Sequence, residues 1–163
     1  MINRVFGSGI LAVCLASCHL IPRFTSGLSG RKPLHDAAAH GDKVRLEEIL
    51  NSNGEPVDIR DPDGNTPLHV AADRDQAEAI RFLLSHGANI NATNKLGMTP
   101  LMLAAKTGSL DAVKVLLKKG ADTKRRDVRN RTATDWARAN GHYSIAVKIE
   151  AASFRGRKSN VIQ

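Results

Sequence analysis

Six histidines, two cysteines and sixteen acidic residues are the groups in this 163-residue sequence that could do chemistry. His35 next to Asp36, then His69 and Asp135, have the types that general acid–base work requires, because an imidazole titrates near neutral pH and a carboxylate can orient it. The frame around them is missing. No serine stands in a nucleophile elbow, no glycine-rich phosphate loop occurs, and there is no H-E-x-x-H. His40, His86 and His142 fall at scattered loop or helix-end positions, so a zinc site would need a convergence that the linear order does not suggest. Cys14 and Cys18 both lie in the first eighteen residues, which excludes a structural disulfide or thiolate site from the rest of the chain. The sequence predicts no catalytic residue, no metal ligand set and no cofactor.

The elements that position these residues repeat. Asp63–Ala72 reads D-G-N-T-P-L-H-V-A-A, and 33 residues later Leu96–Ala105 reads L-G-M-T-P-L-M-L-A-A. Each is followed at the same distance by a Gly-Ala tail, Gly87-Ala88-Asn89 and Gly120-Ala121-Asp122. A 33-residue period carrying T-P-L-H and A-A resembles the ankyrin repeat. The resemblance implies an all-α solenoid of about four helix-turn-helix repeats with short β-hairpin fingers. In that family the histidine of T-P-L-H makes structural hydrogen bonds at the repeat junction. That accounts for His69 without catalysis, and Met102 takes its place in the next copy.

The copies are expected at about 33–64, 65–97, 98–130 and 131–152. The first echoes the motif in Pro33-Leu34-His35 and Ala37-Ala38, with one extra residue in Asn51–Asn53. Thr66 and Thr99 suit N-caps, and Pro67 and Pro100 suit a first helical turn, where a missing N–H loses no bond. Gly87 and Gly120 sit where a second helix must stop. Val57, Ile90 and Thr123 are in register as the buried residue of each finger. The fourth copy is degenerate: Thr132-Ala133-Thr134-Asp135 replaces T-P-L-H, Asn130 replaces the turn glycine, and Trp136 replaces Leu103 as a core residue. Residues 153–163 read as a fraying basic tail.

Ahead of the repeats, Arg4 is followed by an apolar run, Val5–Ala16, of the length of an export-signal core and short of a membrane span. Leu15-Ala16-Ser17-Cys18 resembles the lipobox of bacterial lipoproteins. That resemblance implies a signal peptide over 1–17, cleavage before Cys18 and a lipid on its sulfur, with 18–32 as a flexible tether. The residue after the cysteine is His19 rather than Asp, which in enterobacterial lipoproteins leans towards the outer membrane on its periplasmic side. A plain secretory signal, or an uncleaved apolar start, are the alternatives.

Lysine and arginine number 24 against 16 acidic residues, a formal charge of +8, with a pI of about 9.9. Lys114–Arg131 alone holds eight basic residues against Asp122 and Asp127. Such a balance suits an acidic partner or anionic headgroups. Nucleic acid fits less well, since aromatics are 4% of the chain and none interleave the charges. The family resemblance implies binding through finger tips and exposed residues of the first helices. Those positions are Arg60, Asp63, Asp73 and Arg74, then Lys95, Leu96, Met98 and Lys106, then Arg126, Val128, Arg129 and Arg131. Leu96, Met98 and Val128 would form an apolar trio inside a basic rim. The expected function is a non-catalytic, monomeric protein-binding module, lipid-anchored in a bacterial envelope, that holds or inhibits a partner protein. The alternative is a secreted ankyrin effector acting on host-cell proteins.

Overall fold

A computed structural model of the chain describes residues 33–158. Cys18, the apolar run before it and residues 159–163 lie outside the described residues. Eight helices follow one another: α1 Pro33–His40, α2 Lys43–Asn53, α3 Pro67–Asp73, α4 Ala77–Ser85, α5 Pro100–Thr107, α6 Leu110–Lys118, α7 Ala133–Ala139 and α8 Tyr143–Lys158. They pair within each repeat. The first helices α1, α3, α5 and α7 stack in one row, and α2, α4, α6 and α8 in a second. α8 runs through the first six residues of the segment expected as a tail.

The local reasons for these elements are those of the repeat. Thr99 accepts the Met102 N–H at 3.3 Å ahead of Pro100, and Thr132 does the same for Asp135 at 3.3 Å. The alanine pairs Ala37-Ala38, Ala71-Ala72 and Ala104-Ala105 are buried, with no Cβ branch to hold the rows apart. Leu34, Leu68 and Leu101 extend the seam through the first row, and Leu46, Ile80, Val113 and Ile149 carry it between the rows. Burying each such side chain contributes about 1.5–3 kcal/mol. The extra residue of the first copy is taken up in α2, which runs to Asn53 and has 11 residues against nine in α4 and α6, rather than in a turn.

The fingers differ from the expected β-hairpins. Among the described residues there is no strand. One backbone bond joins each successive pair of tips, Lys95 N–H to the Asp63 carbonyl and Val128 N–H to the Leu96 carbonyl, both at 3.1 Å. Side chains close each tip instead. Asp61, Asn94 and Asp127, spaced by 33, each accept through Oδ1 the N–H groups two and four residues on. The tip turns left-handed at Gly64, Gly97 and Asn130, where φ is 80°, 69° and 62°. A Cβ at Gly97 would lie 3.1 Å from the Val128 nitrogen, which explains why glycine is held there. Val57, Ile90 and Thr123 are half-buried; the buried apolar finger residues are Ala88, Ala92 and Ala121.

The two ends of the stack are chemically distinct from its middle. Where the central repeats bury Leu101, Ala105 and Val115, the fourth has Thr134, Arg138 and Lys148, and Arg138 pairs with Glu150 across that end. At the other end Arg45, exposed, occupies the register of Ala79 and Ala112. Polar outer faces of this kind suit the end repeats of a solenoid, and among the described residues no further helix packs on either end.

Candidate protein-binding surface

Between the finger tips and the first-helix row lies a groove. Its larger part, about 440 Å³, is lined by Asp63, Asn65 and Lys95 from the tips and by Val70, Asp73, Leu103 and Lys106 from α3 and α5. A smaller part of about 210 Å³ follows, lined by Val128, Arg129 and Arg131 on one side and Lys106 and Trp136 on the other. Leu96 and Met98 border both parts.

Nine of the twelve residues expected to bind a partner therefore come together: Asp63, Asp73, Lys95, Leu96, Met98, Lys106, Val128, Arg129 and Arg131. Arg60, Arg74 and Arg126 do not line it. Arg60 donates to the Gly64 and Thr93 carbonyls at 2.8 and 2.7 Å, Arg126 donates to the Asn130 carbonyl at 2.8 Å, and Arg74 pairs with Asp73 at 3.8 Å. Arg60 and Arg126 thus brace the fingers along their exposed side.

Met98 corrects the expected apolar trio. It is 2% exposed, while Leu96 and Val128 are 57% and 67% exposed. Its backbone is the reason. The Met98 N–H donates to Asn94 and its carbonyl accepts from His69, which seats the residue at the base of the finger, where its side chain floors the groove.

Trp136 does more than the core role expected of it. It is half-buried: its ring packs against the core, as Leu103 does one repeat earlier, and also forms the far wall of the smaller depression. The Arg131 guanidinium lies over the ring, 3.5 Å from its centroid, and the Lys106 ammonium is at 5.4 Å. Trp136 Nε1–H donates to Asp127 Oδ2 at 3.0 Å, and Arg131 Nε is 3.4 Å from the same oxygen. Burial pushes the Asp127 carboxyl up, but the N–H groups of Arg131 and Arg129, the indole N–H and the Arg131 charge outweigh it and hold the group below its ordinary value. Asp127 is 8% exposed and locks Arg131 and Trp136 as one rigid wall. The sequence signal for this was the 33-residue register of Asp61, Asn94 and Asp127; only the last stands nine residues from a tryptophan.

His69, His35 and Asp135 have partners in the fold. His69, fully buried, donates from Nε2 to the Met98 carbonyl at 3.0 Å and accepts at Nδ1 from the Thr66 N–H at 3.1 Å. His35 Nε2 donates to the Asn65 carbonyl at 2.9 Å, the same junction one repeat earlier. Asp135 replaces the histidine in the fourth copy. Its Oδ2 accepts the Thr132 N–H at 2.9 Å and hydroxyl at 2.7 Å, and these bonds lower its pKa. Among the described residues no three His, Cys, Asp or Glu side chains come together where they could hold a metal ion.

Charge is distributed unevenly along the stack. Residues 33–64 carry eight acidic and three basic side chains, and residues 98–130 carry three acidic and eight basic. The groove follows this polarity, with Asp63 and Asp73 towards its first end and Lys106, Arg129 and Arg131 towards its last.

A family model described as ankyrin repeats (3 copies) matches residues 9–94, and a second, described as ankyrin repeats (many copies), matches residues 83–137. The first match begins 24 residues ahead of α1, inside the stretch that reads as an export signal.

Proposed function

We propose that this chain, which belongs to the ankyrin-repeat family, uses the groove between finger tips and first helices to hold or inhibit a partner protein at a membrane. Ankyrin repeats mark it as a protein–protein interaction module. The observation that carries the finer reading is the continuity of the groove: exposed Leu96 and Val128 stand over a buried Met98 floor, rimmed by Lys95, Lys106 and Arg129. An apolar centre with a charged rim supplies both affinity and steering. The rigid Arg131–Trp136 wall lowers the ordering cost of binding. We read its mechanism as non-catalytic: His69, His35 and Asp135, three of the candidates for acid–base work, are engaged in structural bonds. In this reading the module is tethered through a lipid on Cys18 in a bacterial envelope.

Two measurements test it. A Leu96→Glu, Arg129→Glu double variant changes two exposed groove residues and spares the core; it should melt as wild type and lose partners in a quantitative crosslinking pull-down. An unchanged partner list would sink the groove. The mass of the mature N-terminus, for wild type and Cys18→Ala, tests the anchor. A lipid-modified chain beginning at Cys18 is expected, and an unmodified chain beginning at Met1 would favour a secreted effector instead.

A further inference from the structure

The polarity of the stack has a second expression on the outer helix row, away from the groove. α2 exposes Lys43 and Arg45 beside Glu47 and Glu48 and is balanced, whereas α6 exposes Lys114 and Lys118 against Asp111, its C-cap adds Lys119, and α8 exposes Lys148. Between α6 and α8 an open depression of about 620 Å³ has Lys114, Lys118 and Lys148 around Leu117, Val147 and Ala151. Tyr143 and Val147, 68% and 65% exposed, stand one turn apart on the same face of α8. Asp111 is bound to Lys114 at 2.7 Å; Lys118, Lys119 and Lys148 pair with no carboxylate among the described residues. Apolar side chains exposed among unpaired lysines are out of place on a face that meets only water.

We infer that this α6–α8 face rests on an anionic bilayer surface. Lysines are flexible, strongly hydrated point charges that follow mobile phosphates, and their stems can lie along apolar surface with the ammonium still in the headgroup layer. Tyr143 and Val147 then sit at the level of the glycerol backbone, where a phenol with one wet end is at home. A fixed acidic protein would call instead for arginine forks held in place, which the groove has at Arg131, whereas the cations that line this depression are the lysines Lys114, Lys118 and Lys148. The acidic first repeat is repelled by the same surface, so the stack docks by its third and fourth repeats and leaves the groove open on the other side. This contact depends neither on Cys18 nor on what the groove holds.

Full-length chain carrying Cys18→Ser, which can take no lipid, is co-sedimented with vesicles of phosphatidylcholine alone and of phosphatidylcholine mixed with an equal part of phosphatidylglycerol. Binding is expected to the mixed vesicles only and to weaken with salt. Lys118→Glu, Lys119→Glu, Lys148→Glu together should lower the partition at least about tenfold, since each lysine near such a surface adds to the attraction and each glutamate opposes it. All three are exposed, so the melting curve should hold. The Leu96→Glu, Arg129→Glu variant should bind the vesicles as wild type does, which separates this inference from the groove. Equal binding by the lysine variant would assign the affinity to the apolar N-terminal run. That result, equal binding to both vesicles, or capture of an acidic protein on these lysines without vesicle binding would each overturn the proposal.

Discussion

The buried imidazole of His69 donates to the carbonyl of Met98, 3.0 Å away in the next repeat, and so ties α3 to the base of the following finger. Because the Thr66 N–H points at Nδ1, the ring is held as the neutral tautomer with its proton on Nε2. Burial drives its pKa down to about 4, from an ordinary 6.5. The unfolded chain therefore takes up this proton first as the pH falls. The associated stability is complete above about pH 6.5 and is lost towards the folded value, with a span of roughly 3 kcal/mol. Met102 occupies the same register, fully buried and without a ring. His69→Met should be less stable than wild type by about 1–2 kcal/mol at pH 7.5 for the lost hydrogen bonds. The gap should narrow as the pH drops to 5. Parallel urea midpoints at both pH values would contradict this.

Asp75 is a second inter-repeat tie. It sits at φ 56°, a conformation its counterparts Gly41 and Gly108 adopt freely, and its Oδ1 accepts the Ala112 N–H at 2.7 Å, inside the first turn of α6. A capping bond thus offsets the backbone strain. Asp75→Ala loses the cap and keeps the strain, and should cost about 1–2 kcal/mol. Asp75→Gly loses only the cap and should cost less. Equal melting temperatures for the two variants would remove the strain from the account.

The repeat period, the helix pairs, the Thr caps and Asn130 at positive φ were legible in the sequence, because each follows from a residue type whose local physics admits few conformations. So was the role of His69, by resemblance. The state of Met98 was not. An apolar residue one step past a turn glycine can point out of a finger or into its base, and only the His69 bond from the preceding repeat decides which. Trp136 packs against the core in the register of Leu103, as its place in the repeat implied; what its type alone did not reveal is the fixed groove wall, because the partner of the indole N–H is Asp127, nine residues back in a finger turn. Arg60 and Arg126 looked like free cations because nothing in the chain order brings carbonyls to them; the folded fingers do.

Asp127 and Trp136 can be separated from the turn they stand in. Asn94 closes the preceding finger with the same Oδ1 bonds, so Asp127→Asn can keep the tip while setting an amide N–H against the indole N–H and the Arg131 guanidinium. The variant should lose about 1–3 kcal/mol, the scale of a hydrogen bond to a charged group. Trp136 is the only tryptophan, so its emission reports this site directly. Emission should shift to the red as Arg131 leaves the ring. In wild type the carboxylate's contribution is present above about pH 4 and lost as the pH falls through its lowered folded value. Unchanged emission in Asp127→Asn would mean that the stack does not depend on the carboxylate.

The fourth repeat presents a polar outer face. Leu101, Ala105 and Val115 are buried in the third repeat, and Thr134, Arg138 and Lys148 hold their register in the last repeat of the described residues. Restoring the central types with Thr134→Leu, Arg138→Ala and Lys148→Val would also free Glu150 of its partner and leave an apolar face ready for another repeat. The nearest apolar surface of that shape belongs to a second copy of the variant. It should keep its helicity and gain mass by self-association relative to wild type at the same concentration, read by light scattering behind size exclusion. A monomeric triple variant would mean that the end face is protected by something other than these three side chains.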